Sequence, residues 1–211
     1  MQPAPRTLSV QFTGTAGAYF RIWIVNLLLS LLTLGIYSAW AKVRSKRYFA
    51  QQTRIDGQSF EYHAKPVQIL IGRIIVIASL ALLGVLSVVA MPLYLLALLA
   101  LLVAVPWLIN RAFAFNARMT SFAGIRFGFR GSYWGALKTV LIYPALSIFT
   151  LYTLMPFANR AYYRYVIANH QFGTTPFTFD AAIGGFYKAI VLAALWMIGV
   201  IAVVAVGLGG A

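Results

Sequence analysis

The chain has 211 residues, of which 62% are hydrophobic and 9% charged, with 17 Lys and Arg against three acids and a formal net charge of +14. Soluble domains carry about 25% charged residues, so this composition excludes a water-soluble fold and marks a multi-spanning helical membrane protein. The bases lie beside apolar spans, where the positive-inside rule and anionic headgroups account for them without a nucleic-acid partner; the absence of cysteine excludes disulfides and thiolate chemistry.

The first apolar stretch begins behind about twenty residues, too late for a secretory signal. Ala39-Trp40-Ala41 imitates a cleavage site, but the bases that follow it oppose translocation, so the stretch reads as an uncleaved span. Val10-Gln11-Phe12-Thr13-Gly14 alternates and predicts a short strand. Apolar segments follow at about 18–38, 67–89, 92–109, 134–155 and 183–206, the second and third forming a tight hairpin at Pro92. Basic helices are predicted at 40–54, 108–119 and 157–170, and three of the breaks hold aromatic-x-aromatic segments: 60–64, 127–131 and 177–181. These read as strands that pair with one another at the membrane surface, the alternative being loops with aromatic interface anchors. The fold class expected is therefore an all-α polytopic membrane protein, with about five apolar helical segments and short surface strands.

The chain also contains an internal repeat. A shift of 117 places Phe12 on Phe129, Gly14 on Gly131, Thr33-Leu34 on Thr150-Leu151 and Arg47-Tyr48 on Arg164-Tyr165. A partial copy at a shift of 67 places Trp40, Arg44, Thr53 and Gly57 on Trp107, Arg111, Thr120 and Gly124. Residues 1–211 read as one membrane domain with copies at about 10–126 and 127–211, the second incomplete. If all five segments cross, 39–66 and 110–133, with Arg73 and Lys138, place twelve of seventeen bases on one side. That side is expected to be cytoplasmic, with the N-terminus outside and the C-terminus inside. The copies would then be inverted. The competing arrangement makes 18–38 and 134–155 re-entrant, and the charge asymmetry between the copies favours inversion.

Catalytic constellations are not found. Asp56 and Glu61 flank a Gly-containing turn, His63 and His170 have no acid at ligand spacing, and neither a phosphate loop nor a nucleophile elbow is present. The expectation is a non-enzymatic protein without metal or cofactor. The bases near or within the spans are more informative, because an ionisable group in hydrocarbon costs several kcal/mol unless it snorkels or faces a polar cavity. Arg21, Asn26, Arg73 and Lys138 are the candidate contacts for an anion or lipid phosphate between the copies. Lys42, Arg44, Lys46 and Arg47 lie on a helix whose wheel leaves no clean apolar face, and they are expected to meet anionic phospholipid as well.

The motif Thr33-Leu34-Gly35-Ile36-Tyr37-Ser38-Ala39-Trp40-Ala41-Lys42-Val43-Arg44, with Phe12-x-Gly14, Phe127-Gly128-Phe129-Arg130-Gly131 and Asn169-His170-Gln171-Phe172-Gly173, resembles the YjgN-like family, a domain of unknown function. The resemblance implies a multi-pass protein of the bacterial inner membrane and no particular activity. Longer members of that family continue past the last span, which implies a shortened bundle completed by oligomerisation. Two functional expectations follow: transport or lipid handling at the repeat interface, or an accessory subunit docking another membrane protein through cytoplasmic basic helices and strands.

Overall fold

The structure, a computed structural model, describes residues 9–209, with side chains to Ala205. Strand β1 (Val10–Phe12) leads into helix α1 (Ala16–Leu32), and α2 (Ser38–Gln52) runs back into the hairpin β2 (Thr53–Ile55) and β3 (Gln58–Tyr62). The long helices α3 (Pro66–Val89) and α4 (Met91–Arg118) lead to β4 (Thr120–Phe122) and β5 (Ile125–Phe129). Next come α5 (Tyr133–Ala136), a π-helical segment (Leu137–Ile142) and α6 (Tyr143–Phe149) as one outward arm, returning through α7 (Met155–Ala168). Strands β6 (His170–Phe172) and β7 (Thr175–Pro176) then precede α8 (Ile183–Gly209).

The two short helical hairpins turn for an identifiable reason. After α1 the backbone enters the left-handed region at Leu34 and Gly35, Gly35 N–H bonds the Ser30 carbonyl at 2.7 Å and Leu34 N–H bonds that of Leu31 at 3.1 Å. These are the two bonds of a Schellman ending, which satisfies the last carbonyls while reversing the chain. Leu151 and Tyr152 repeat the geometry, with Tyr152 N–H on Ser147 at 2.7 Å and Leu151 N–H on Ile148 at 3.1 Å. The N-terminal ends correspond as well. Thr15 and Ser132 cap α1 and α5 by accepting from Ala18 N–H at 3.3 Å and Gly135 N–H at 3.0 Å.

The strands form one seven-stranded antiparallel sheet in chain order, β1 to β7. Two-residue turns connect β2 to β3 and β4 to β5. Asp56-Gly57 and Ala123-Gly124 both sit at positive φ, the type I′ pattern that matches strand twist. Strand β3 is shared: Ser59 and Gln58 pair with Arg54 and Ile55, whereas Phe60 to Tyr62 pair with Phe122 to Thr120. Strand β5 divides in the same way between β4 and β6, so each hairpin is staggered along the next. One face carries an aromatic stripe, with Phe60–Phe122 at 4.8 Å, Phe127–Phe172 at 5.1 Å and Phe60–Phe127 at 6.1 Å between ring centroids. Such pairs add about 0.5–1.5 kcal/mol each beyond their buried area.

This corrects the expectation of an all-α fold with five crossing segments. Among the described residues three helices are long and apolar enough to cross a membrane: Pro66–Val89, Met91–Arg118 and the Ile183–Ala205 part of α8. Segments 18–38 and 134–155 do not make single crossings, because each contains a Schellman turn and returns to the sheet it left. Inversion falls for the same reason. Strands β1 to β3, which flank the first short hairpin, and β5 to β7, which flank the second, belong to one sheet. The aromatic segment 177–181 lies outside the paired residues of β7, although Phe177 N–H still bonds the His170 carbonyl at 3.1 Å. Strands β2, β4 and β6, which directly follow basic helices, were not among the expected strands.

Small residues let the helices approach the sheet and one another. Ala39, Ala64, Ala117, Ala136 and Ala158 are buried, and Val43 packs with Tyr62 and Ala64 against Ile69 and Phe115. Gly14, Gly131 and Gly135 allow the tightest contacts. A Cβ at Gly14 would strike the Phe12 ring and the Tyr48 hydroxyl; at Gly131 it would strike the Phe129 ring and the Tyr165 hydroxyl.

Candidate functional site

Helix α2 explains why its sequence has no clean apolar face: it stands between two grooves and supplies bases to both. Arg44 and Arg47, three residues apart, line the first groove with Tyr37, Trp40, Tyr48 and Gln51, a volume of about 340 Å³. Lys42 faces the other way, lining a second groove of about 350 Å³ with Arg111, Arg118, Gln68 and Asn116 from α3 and α4. Lys46 lies on the same side and donates to Asn116 Oδ1 at 2.6 Å, its ammonium 5.2 Å from the centre of the Tyr62 ring. Burial, then repulsion from Lys42, lowers the Lys46 pKa from its ordinary value. A third groove of about 400 Å³ holds Lys138, Arg160, Arg164, Tyr143, Tyr165 and Asn169.

The three grooves occupy matching places. Ile22, Gly72 and Thr139 line them from the outgoing helix, at the same distance from their respective helix starts. Arg44, Arg111 and Ala161, then Tyr48, Phe115 and Tyr165, line them from the returning helix. Each groove contains two or three bases, no acid, and an apolar wall. A concave surface of this kind attracts an anion, and arginine forks suit phosphate oxygens. Tyrosine fixes two of the grooves to the sheet end. Tyr48 Oη is 3.0 Å from both the N–H and carbonyl O of Thr15. Tyr165 Oη is 2.8 Å from the Ser132 carbonyl O and 2.7 Å from Asn110 Oδ1. Burial raises the Tyr165 phenol pKa, with the Asn110 hydrogen bond opposing the shift.

The structure distributes the residues singled out from the sequence. Lys42, Arg44 and Arg47 line grooves, and Lys138 lines the third. Arg21, 117 positions before Lys138, lies on an exposed part of α1. Asn26 is buried inside the first short hairpin, its Nδ2 3.5 Å from the Ala41 carbonyl and from Ser45 Oγ, its Oδ1 unpaired. Arg73 donates to Ser38 Oγ, which in turn donates to the Gly35 carbonyl, in a cleft of about 440 Å³ at the tip of that hairpin. Arg21, Asn26, Arg73 and Lys138 therefore occupy separate surroundings. Sequence reasoning missed Arg111, Arg118, Arg160 and Arg164 as groove residues; the shift of 67 that aligns Arg44 with Arg111 was the available signal.

One further polar cluster lies on the sheet. His63 Nε2 is 2.7 Å from Ser121 Oγ and 3.4 Å from Glu61 Oε2, and Ser121 is only 2% exposed. A nucleophilic triad places acid and serine on opposite ring nitrogens. Here both contact Nε2, so the cluster is a cross-strand tie. Among the described residues no group of three His, Asp or Glu converges at metal-ligand range.

With three apolar helices of membrane length among the described residues, and relatives named as inner membrane proteins, this is an integral membrane protein of the bacterial inner membrane. The chain belongs to the family described as bacterial protein of unknown function (DUF898), which matches residues 7–211. It is 32% identical over 148 residues to inner membrane protein YjgN of Salmonella typhimurium (strain LT2), covering 68% of this chain and 37% of that protein. It is 34% identical over 160 residues to inner membrane protein YjgN of Escherichia coli (strain K12), covering 72% and 40% respectively. The chain thus spans about two-fifths of the length of these curated relatives. No solved structure matches.

Proposed function

We propose that the protein binds the phosphate headgroups of anionic phospholipid on the cytoplasmic side of the inner membrane, through three copies of one structural unit. The observation that carries this reading is the groove set: matching positions, several bases in each, and no acid. Orientation supports it. Segments 74–110 and 189–209 hold no charged residue, so the described bases all lie on or near the sheet side. By the positive-inside rule that side faces the cytoplasm, where anionic headgroups attract juxtamembrane bases by about 1 kcal/mol each. Such a protein handles lipid at headgroup level, without a catalytic step or a bound cofactor.

The test is native mass spectrometry of detergent-purified protein titrated with phosphatidylglycerol or phosphatidylcholine. Preference for the anionic lipid is expected, with most of it lost when Arg44, Arg111 and Arg164 are together changed to Gln. Equal binding of both lipids by the unaltered protein would refute the reading. The second reading, an accessory subunit docking another membrane protein, is favoured by one feature. Among the described residues strand β1 is an edge of the sheet, with Val10 67% and Phe12 54% exposed. Site-specific photocrosslinking from Val10 in native membranes tests it; crosslinks to lipid alone would count against docking.

A further inference from the structure

The two short hairpins are apolar and uncharged through their tips, over 22–41 and 139–159. The residues at those tips are among the most exposed in the molecule: Leu34 at 95%, Leu151 at 87%, Phe149 at 85%. Apolar surface on this scale is stable in hydrocarbon and costly in water, and the Arg73 guanidinium beside the first tip is hydrogen-bonded to Ser38. The depth these tips reach can be read from α3. Leu34, Gly35 and Ile36 share a cleft with Leu70, Arg73 and Ile77. Ile77 is eleven residues beyond Pro66, about 16 Å along a helix whose 24 residues extend about 36 Å. The first hairpin therefore ends near the midpoint of α3.

The second hairpin obeys the same limit. Tyr163 packs on Phe186, the fourth residue of α8, with ring centroids 6.1 Å apart. From Tyr163 to Met155, where α7 begins, the helix rises only about 12 Å, so its start lies no deeper than the middle of α8. Arg160 Nε donates to the Ala181 carbonyl at 2.8 Å and holds α7 to the segment before α8.

We infer that both short hairpins are embedded in one leaflet only, so that the protein is a wedge whose distribution follows membrane curvature. Seven helical arms, counting α5 to α6 as one, occupy the sheet-side leaflet, whereas α3, α4 and α8 alone continue into the other. Four extra arms, each about 10–12 Å across, add roughly 400 Å² of cross-section to a single leaflet. A body wider in one leaflet is accommodated with least lipid distortion where that leaflet is the convex one. The Arg73 hydrogen bond to Ser38 serves this arrangement, because it holds the first tip at a fixed level on α3. The inference stands on hairpin depth and is independent of whether the grooves hold lipid.

Two measurements test it on the full chain, which contains no cysteine. Spin labels on the single-cysteine variants L34C and L151C are expected near the bilayer midplane, accessible to oxygen and shielded from a water-soluble nickel chelate. Labelling of either tip by an impermeant maleimide from the face opposite the sheet would show a complete crossing and overturn the inference. Reconstituted into phosphatidylethanolamine–phosphatidylglycerol vesicles of graded diameter, molecules oriented sheet-outward are expected to rise severalfold in areal density as diameter falls. A density independent of diameter would overturn the coupling to curvature, whatever lipid the grooves prefer.

Discussion

The hairpins α1–α2 and α5–α7 are built on the same frame with different interiors. Both begin at a Thr or Ser cap, both clamp that cap residue with a tyrosine hydroxyl, and both reverse through a Schellman turn. Between those points they differ. Helix α1 is continuous, whereas the outward arm of the second hairpin contains a π-helical segment just before Pro144. Proline lacks an N–H and clashes with the preceding turn, and a π segment is one way a helix absorbs that defect. The buried Asn26, close to Ser45, is the polar group inside the first hairpin, whereas in the second the buried polar residues are Thr139 and Ser147 and the half-buried Tyr143 stands at the position 117 beyond Asn26. The comparison teaches that the fold depends on where each hairpin leaves the sheet, turns and rejoins it. The filling of the arm is free to vary.

The most decisive way to break this comparison is to ask whether the hairpins share a side. Single cysteines at Arg47 and Arg164 are expected to be protected together in intact cells and labelled together after permeabilisation. A cysteine at Ala90, in the turn between α3 and α4, should behave in the opposite way. Labelling of only one of positions 47 and 164 would restore inversion and separate the two frames.

A smaller effect is expected at the close contacts. Gly14→Ala and Gly131→Ala each force a methyl group into an aromatic ring and a clamping tyrosine, which should cost about 1–3 kcal/mol. Unfolding in mild detergent, followed by tryptophan fluorescence, should show loss of stability in both. A stable variant at one site alone would mean that only the other clamp is required. The smallest effect concerns the hydroxyls. Tyr48→Phe and Tyr165→Phe should each cost about 1 kcal/mol, the usual net value of an intramolecular hydrogen bond. The second should also loosen the tie to Asn110 of α4, raising amide exchange in that helix. An unchanged exchange rate would remove Asn110 from the clamp.

By itself the sequence determined the membrane setting, the apolar segments that include the three long helices, and the aromatic strand segments near 10–14, 60–64 and 127–131. These rest on local chemistry: a composition too poor in charge for water, runs of about twenty apolar residues, and alternation at period two. Asp56-Gly57 was legible as a turn because positive φ at two adjacent residues favours such a pair. Strands β2, β4 and β6 were not legible, since three residues after a helix show no periodicity of their own and exist only through their partners. Crossing and half-crossing were not separable either. A hairpin that enters one leaflet is as apolar as a span, and only the pairing of β1 with β2, and of β5 with β6, shows that each arm returns. The grooves depend on the same closure. Lys42 and Arg118 are 76 positions apart in the chain, and the tertiary structure decided that they line one groove because α2 packs beside α3 and α4.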